Sequence, residues 1–518
     1  MRNIEGFIKF LLLLAIFIRP LSCGMAEPSS NWLILIILSL AFGVHLIKRQ
    51  EAFSSPFDKP LSFFCLSLLI SFVLSKGRCF EIASQFLSCF LIFYLVISCQ
   101  PKKRTIRAVL LFSGILVSLY AVYQKFWGLS ETKRFIEMYQ LGDQFLGRIG
   151  SDRVFSTFMY PNSLAGYLVL ILPLSISKRT WPIALVYLYA LYLSGSRGGF
   201  VSLCCAITLF LWMKRKRLAL VWSIISLVLF IHLLTPVPGS VKARFSYWKT
   251  SIAIIKDHPF GVGLSKFGNS YIRYKEASAE ETRNAHNGFL QIGVEAGILG
   301  LLSYLWLTLC FLQKGWKIVK ERDELLPYYL GGFSFFIHSS LDFDLYIPGI
   351  SFLLFLFLGM VSGYEKKPVA TSRFSKISVL ILIPLIFYAN QMRLSSEYIE
   401  KGWSSLFVRD YEKALPLFTK ASKLNPENGE ILFEQGRIYD KLDRRQEAER
   451  LYREAIIRDP DVASYHFQLA LSLIKNSGNQ KEIIQHLKIA SYLYPTKSIY
   501  KAVLERQISI PRINQPFQ

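Results

Sequence analysis

The run "TRNAHNGFLQIGVEAGILGLLSY", residues 282–304, passes from a cation, amides and an imidazole straight into residues suited to lipid. His286 in that place suggests acid–base work. An imidazole titrates near neutral pH, so it can take the proton of a hydroxyl attacking an electrophilic carbon. The alternative is a histidine that caps the helix with Asn284 or Asn287. Beside it, Arg283 offers a planar guanidinium, whose fork matches phosphate oxygens bidentately.

Other polar islands interrupt the apolar pattern. "GRIGSDRVFSTFMYPNSLAGYL", residues 147–168, sets Arg148, Asp152 and Arg153 before an apolar block that opens at Pro161-Asn162. "LSGSRGGF", residues 193–200, holds Arg197 between two apolar blocks with almost no loop. A cation there is costly without an anionic partner, although an interfacial arginine can also snorkel to headgroups. "KDHPFGVGLSKFG", residues 256–268, contributes a tight Gly261-Val262-Gly263 turn, which reads as loop geometry. "FFIHSSLDFDLYIPG", residues 335–349, sets His338 and Asp342 at i,i+4, expected on one helical face. They either orient a base or bind sugar, or form a structural pair. Glu295 falls about two turns into its apolar block, where a carboxylate is functional or pairs with a buried arginine. Arg244 is a weaker candidate cation.

Long apolar blocks must position these residues. The chain has 518 residues, 52% hydrophobic, with a mean hydropathy of +0.34. Candidate spans cover roughly residues 7–21, 31–47, 60–75, 80–98, 105–124, 161–177, 181–196, 198–213, 218–235, 289–312, 327–344, 345–363 and 377–392. Such lengths suit a hydrocarbon core about 30 Å thick, so residues 1–392 read as a polytopic membrane domain of about 12–13 helices. The net charge of +24 would suit nucleic acid, but residues 394–518 account for only +3 of it. The rest sits between spans, in loops such as "KRQEAFSSPFDK", "CQPKKRTIR", "MKRKR", "KGWKIVKER" and "EKKPVATSRFSK", where cations signal topology. That bias predicts a cytoplasmic N-terminus, with the long loops 125–160 and 236–288 and everything after residue 392 on the outer side. The opening "FIKFLLLLAIFIRPLSC" resembles a signal peptide but reads better as a first transmembrane helix. Cys23 and Cys79 share the predicted outer face, which leaves a disulfide open. No metal-ligand spacing occurs, so metal-independent chemistry without a cofactor is expected.

After residue 392 the pattern turns to alternating charge and helical periodicity, with Pro426, Pro460 and Pro495 recurring at 34- and 35-residue intervals. The middle unit places Leu432, Gly436, Tyr439, Ala448, Tyr452, Ala455 and Pro460 at the spacing of a tetratricopeptide repeat. Small residues let two helices approach, and the proline ends the second. Residues 393–500 therefore read as an α-α solenoid of three repeats, joined by a short link near Gln391 to Ser395 and followed by a tail, 501–518. Trp403, Tyr439, Tyr452 and Tyr465 are expected at packing positions, and a protein partner is expected on the repeats.

The membrane part resembles the O-antigen ligase and O-antigen polymerase superfamily over about residues 30–365. The resemblance rests on "RVFSTFMYPNSLAGYL", "SGSRGGF", "HPFGVGL" and "AHNGFLQIGVEAGILG", in that order. It implies an all-α membrane bundle that moves a glycan from a polyprenyl-diphosphate lipid to an acceptor at the outer face of the bacterial inner membrane, as in lipopolysaccharide assembly. The acceptor is lipid A core, a growing glycan or a protein hydroxyl, so ligase, polymerase and oligosaccharyltransferase stay open. In that reading His286 and Arg197 are catalytic, and Arg153, Arg148 and Arg283 bind the donor diphosphate. His338, Asp342, Glu295 and Asn287 give support. A transporter is the rival of another class, but it would set paired charges near the midplane, whereas these crowd one lip. An assembly scaffold is a further rival.

Overall fold

The computed structural model describes residues 2–22, 28–48, 51–75, 79–138, 150–234, 239–362, 365–368 and 373–509. The chain forms two compact units. One comprises Met1–Ser265 with Asn284–Arg393; the other comprises Lys266–Arg283 with Leu394–Gln518.

In the first unit every expected apolar block coincides with a helix. Among the described residues, five helical stretches are long and apolar enough to cross a membrane: Pro28–Ile47, Phe80–Cys99, Lys103–Met138, Arg197–Lys214 and Gly288–Glu321. Shorter apolar helices include Pro161–Ser175, Trp181–Ser194 and Pro348–Val361. All fourteen residues of Pro348–Val361 are buried, as suits a helix apolar on every side. It packs on Phe80–Cys99 and Leu326–Ser339, making it the centre of the bundle. The first helix, Arg2–Ile18, also joins the core through Leu12, Ala15 and Ile16. Cys79 is buried, with its Sγ 2.8 Å from the Ser75 hydroxyl; Cys23, and with it the disulfide left open above, lies outside the described residues. Glu51–Ser54 and Glu365–Pro368 form a short antiparallel ribbon, the one departure from an all-helical unit among the described residues.

Two helices depart from the expected bounds. Lys103–Tyr123 continues through a π turn, Gln124–Gly128, into Leu129–Met138. The wider turn aims Gln124 at a neighbour: its Oε1 accepts from Phe155 N and Ser156 N, each at 2.8 Å. The block 327–344 is helical only to Ser339. Turn hydrogen bonds from Leu341 N to His338 O and from Tyr346 N to Phe343 O bend the chain away, and Pro348 starts the next helix. His338 and Asp342 are therefore not an i,i+4 helical pair.

Gly288–Glu321 is broken at Gly297, whose φ of 71° no helix contains. The "HPFGVGL" turn fills the break. Val262 N donates to Val294 O at 2.9 Å and Gly263 N to Glu295 O at 3.1 Å, while Ile298 N donates to Pro259 O at 2.9 Å. Carbonyls and an amide that a continuous helix would pair internally are thus satisfied across two backbones, as buried polar groups require. So close a contact excludes side chains. A Cβ on Gly297 would lie 2.4 Å from Pro259 O, and one on Gly261 would lie 2.4 Å from Glu295 O. The turn is more than loop geometry.

In the second unit the helices alternate as the repeat pattern requires: Tyr411–Leu424, Gly429–Lys441, Arg445–Arg458, Ala463–Lys475, Gln480–Leu493 and Ser498–Ser509. A Cβ on Gly402 would meet the Phe418 ring at 2.8 Å, and one on Gly436 the Tyr452 ring at 2.7 Å, so both glycines serve close helix approach. Tyr452 and Tyr465 are buried, and Trp403 and Tyr439 pack against the cores. No separate link joins the repeats to the final apolar block: Arg373–Phe407 is one helix, with Pro384 inside it. Uninterrupted helical periodicity there outweighs the change of composition.

The docked helix break makes a sharp test. Gly297→Ala combines a left-handed backbone with a backbone clash. It should cost at least about 1–3 kcal/mol and depress the thermal midpoint of the detergent-purified protein. Gly239→Ala, which has no atom within 4 Å of the new Cβ, should leave the midpoint within error.

Candidate functional site

The helix break positions a carboxylate. Glu295 Oε2 accepts from Ser265 N at 3.1 Å and from the Tyr346 hydroxyl at 2.9 Å, and Oε1 accepts from Gln291 Nε2 at 3.1 Å. Gln291 Oε1 in turn accepts from Ala285 N at 2.6 Å. Glu295 thus ties the turn before residue 266, the 340–347 connection and the residue preceding His286 to one helix. Its role is positional.

His286 itself sits at φ 48°, the left-handed region that a non-glycine residue adopts only when its surroundings hold it there. Ala285 is fixed by Gln291. On the other side Asn287 caps the helix, accepting from Phe289 N and Leu290 N at 3.0 Å each, and its Nδ2 donates to Ser340 O at 2.9 Å. Trp248 Nε1 donates to the His286 carbonyl at 3.3 Å. The imidazole stacks on Tyr247 and meets the Phe343 ring edge-on, with centroids 5.6 and 5.1 Å away. Capping is therefore done by Asn287, which leaves the His286 side chain to face Asp342.

Asp342 is the hub. Its side chain is 5% exposed, yet four donors reach it. His286 Nδ1 lies 3.2 Å from Oδ1, which also accepts from Phe343 N at 2.9 Å. Asn162 Nδ2 donates to Oδ2 at 2.7 Å and Arg244 Nη2 at 3.2 Å. Burial would raise the Asp342 carboxyl, but His286 and then Arg244 outweigh it and hold it below the usual carboxylate range. Its stabilising contribution is therefore complete above about pH 4, the ordinary aspartate value, and fades only as pH falls further. With Asp342 ionised, Nδ1 is the ring nitrogen that donates to it.

Guanidinium groups gather around this pair. Arg153 Nη2 donates to Asn162 Oδ1 at 2.8 Å and its Nε to Ser194 O at 2.7 Å. Burial, then the charge of Arg244, lowers the Arg153 pKa; Asp342 raises it again and Arg197 adds a smaller lowering. Three guanidiniums act in the region of the buried Asp342 carboxylate, an arrangement that suits an anion. Arg197 is exposed and begins the Arg197–Lys214 helix, behind the Ser196 cap on Gly199 N. A helix N-terminus adds its own positive end.

A second pair lies beneath. His338 Nδ1 is 2.5 Å from Asp344 Oδ2, with both side chains buried. His338 is thus committed to Asp344 and not to Asp342. Gly166 makes room for the pair, since a Cβ there would lie 2.7 Å from Asp344 Oδ1. A Cβ on Gly198 would lie 3.4 Å from His338 Nε2, so this imidazole underlies the turn that starts with Arg197.

Of the residues singled out from sequence, the structure brings together His286, Asp342, Arg153 and Arg197, with Asn287, Glu295 and His338 in support. Arg148 lies outside the described residues. Arg283 belongs to the second unit, where its charge acts on Glu430. Sequence reasoning missed Asn162 and Asp344 and underrated Arg244. "YPNS" and "DFD" were visible signals for the first two, but nothing in either names a partner.

Comparison with known proteins gives two family matches. The O-antigen ligase family model matches residues 182–305, which include Arg197, Arg244, His286 and Glu295. A tetratricopeptide repeat model matches residues 408–471. No curated protein matches the chain. Among solved structures, the crystal structure of the APC/C hetero-tetramer Cut9-Hcn1 aligns at 13% identity over 98% of this chain and 96% of that one. Its TM-score is 0.25, too low to bear on the fold. The chain therefore carries a stretch similar to the O-antigen ligase family over residues 182–305, within its unit of apolar helices, and tetratricopeptide repeats over residues 408–471.

Proposed function

We propose that the protein transfers a glycan from a polyprenyl-diphosphate donor to an acceptor hydroxyl at the outer face of the bacterial inner membrane. The observation that carries this reading is the His286–Asp342 pair, 3.2 Å apart, set among the guanidiniums of Arg153, Arg244 and Arg197. His286 Nε2 takes the acceptor proton as the hydroxyl oxygen bonds to the anomeric carbon. The bond from that carbon to the diphosphate breaks, and the electron pair leaves with the diphosphate. Arg197, Arg153 and Arg244 neutralise that developing charge, which is commonly the largest contribution to catalysis. Asp342 fixes the tautomer and steadies the imidazolium. An apolar cleft lined by Cys205, Thr208, Leu209, Trp212 and Phe333 opens along the helix that Arg197 begins. It suits the donor's isoprenoid tail.

Ligase and polymerase share this chemistry and differ in the acceptor. Glycan analysis of a deletion strain separates them: a ligase leaves intact lipid-linked glycan unattached, whereas a polymerase leaves shortened chains. Loop charge supports a cytoplasmic N-terminus with the site outside. A cytoplasm-only reporter fused after residue 392 should be silent; an active one would reverse the topology and the site's location.

His286→Ala should fold, retain donor binding and lose on the order of 10²–10⁴ in transfer rate. Loss of donor binding instead would make His286 a phosphate ligand. Arg197→Lys should fail nearly as badly as Arg197→Ala, because an ammonium cannot reproduce a bidentate grip; parental turnover by the lysine variant would refute that grip. Asp342→Asn should keep KM within a few-fold while kcat falls sharply, read from initial rates at varied acceptor.

A further inference from the structure

The segment between the "HPFGVGL" turn and His286 does not fold with its sequence neighbours. Lys266–Arg283 belongs to the unit of the repeats, and it is a built object. Phe267–Tyr274 is a helix with Phe267 and Tyr271 fully buried. The Tyr271 hydroxyl donates to Glu280 O at 3.1 Å, and Lys275 Nζ to Ala279 O at 2.8 Å, which folds the second half of the segment back on the first.

Its outward groups meet the repeats at every stage. Lys266 Nζ is 2.5 Å from Asp461 Oδ2. The Arg273 guanidinium lies over the Tyr492 ring, 4.4 Å from its centroid, and also donates to its hydroxyl. Ile272 packs on the cluster of Ala463, Ala490, Tyr494 and Tyr500. Glu281 is 3.5 Å from Lys497 Nζ and accepts a hydrogen bond from the Tyr494 hydroxyl. The charge of Arg283 acts on Glu430. These partners flank Pro426, Pro460 and Pro495, one turn for each of the three repeats. Exposed ion pairs are individually weak, so the grip depends on their number and on the buried aromatic cluster.

Only Asn284 and Ala285 separate Arg283 from His286. His286 is held at φ 48°, a conformation that persists only when both flanks are constrained. One flank is the capped helix. The other is Ala285, whose N–H is held by Gln291 Oε1 two residues after this segment ends. We propose that the repeats bind their own chain: Lys266–Arg283 is the resident ligand of the inter-repeat turns, and the repeats position His286 by anchoring the strand that leads to it. The inference deepens the catalytic reading above and rests on it for the second half of its test. It also gives the repeats a role in cis, along the edge formed by the turns.

The test uses the full-length protein in detergent, with Lys266→Asp, Asp461→Lys and the two combined, each alongside Tyr494→Phe. Hydrogen exchange of residues 266–283 reports the anchoring without reference to activity. Each charge reversal should raise exchange there at least several-fold, and the combined variant should restore protection. Donor binding should hold in every variant, while kcat falls at least several-fold in the single reversals and recovers in the pair. Unchanged exchange in all variants would overturn the anchoring. Raised exchange with parental kcat would overturn the positioning role and leave the catalytic reading intact. Full transfer by His286→Ala would instead sink the catalytic reading while the exchange result stood. A failure to fold would appear as exchange throughout the repeats, and Tyr494→Phe, which removes one hydroxyl, then decides: unchanged protection of 266–283 would overturn the anchoring.

Discussion

A buried carboxylate must be paired, and Asp342 organises the membrane unit by that requirement. Removing an ion from water costs several kcal/mol unless the protein replaces its hydration. Here the replacements come from widely separated stretches of chain: Asn162 at the start of one helix, Arg244 within another, His286 before a third and the backbone of Phe343 beside it. Each donor is useful to the charge only in one place. Satisfying Asp342 therefore brings together an imidazole and guanidiniums that no local sequence preference would assemble.

The broken helix at Gly297 does for the backbone what Asp342 does for side chains. Opening the helix frees carbonyls, and the Gly261–Gly263 turn supplies the missing donors. Glu295, at the break, then ties Ser265, Tyr346 and Gln291 together, and Gln291 holds Ala285. His286 is thus fixed through a rigid element, where a free loop would leave it several conformations. Both devices cost local stability, in a left-handed residue and an interrupted helix, and both are concentrated around one imidazole. That concentration is what strain at a functional site looks like.

Repeats of this kind usually present a face to a separate protein. In this chain their turns already hold a folded segment of the loop that carries His286. Anchoring in cis presents that strand at a high effective concentration, so interactions that are weak one by one suffice together.

The sequence determined much by itself. Apolar block length dictated the helices, because a backbone in lipid must satisfy its hydrogen bonds within each segment. Thirty-four-residue spacing dictated the repeats, because small residues and prolines recur wherever two helices must touch and end. His286, Arg153 and Arg197 were legible because polar groups on an apolar lip are conspicuous. What tertiary structure decided was partnership. "HSSLDFD" read as a continuous helix pairs His338 with Asp342, and the bend after Ser339 gives it Asp344 instead. Arg283 drew attention by its adjacency to His286, and only the fold shows that its charge acts on Glu430 within the second unit. Adjacency in sequence sets what a residue can reach; which charge it meets depends on how distant segments pack, and a single chain read in one dimension does not contain that distance.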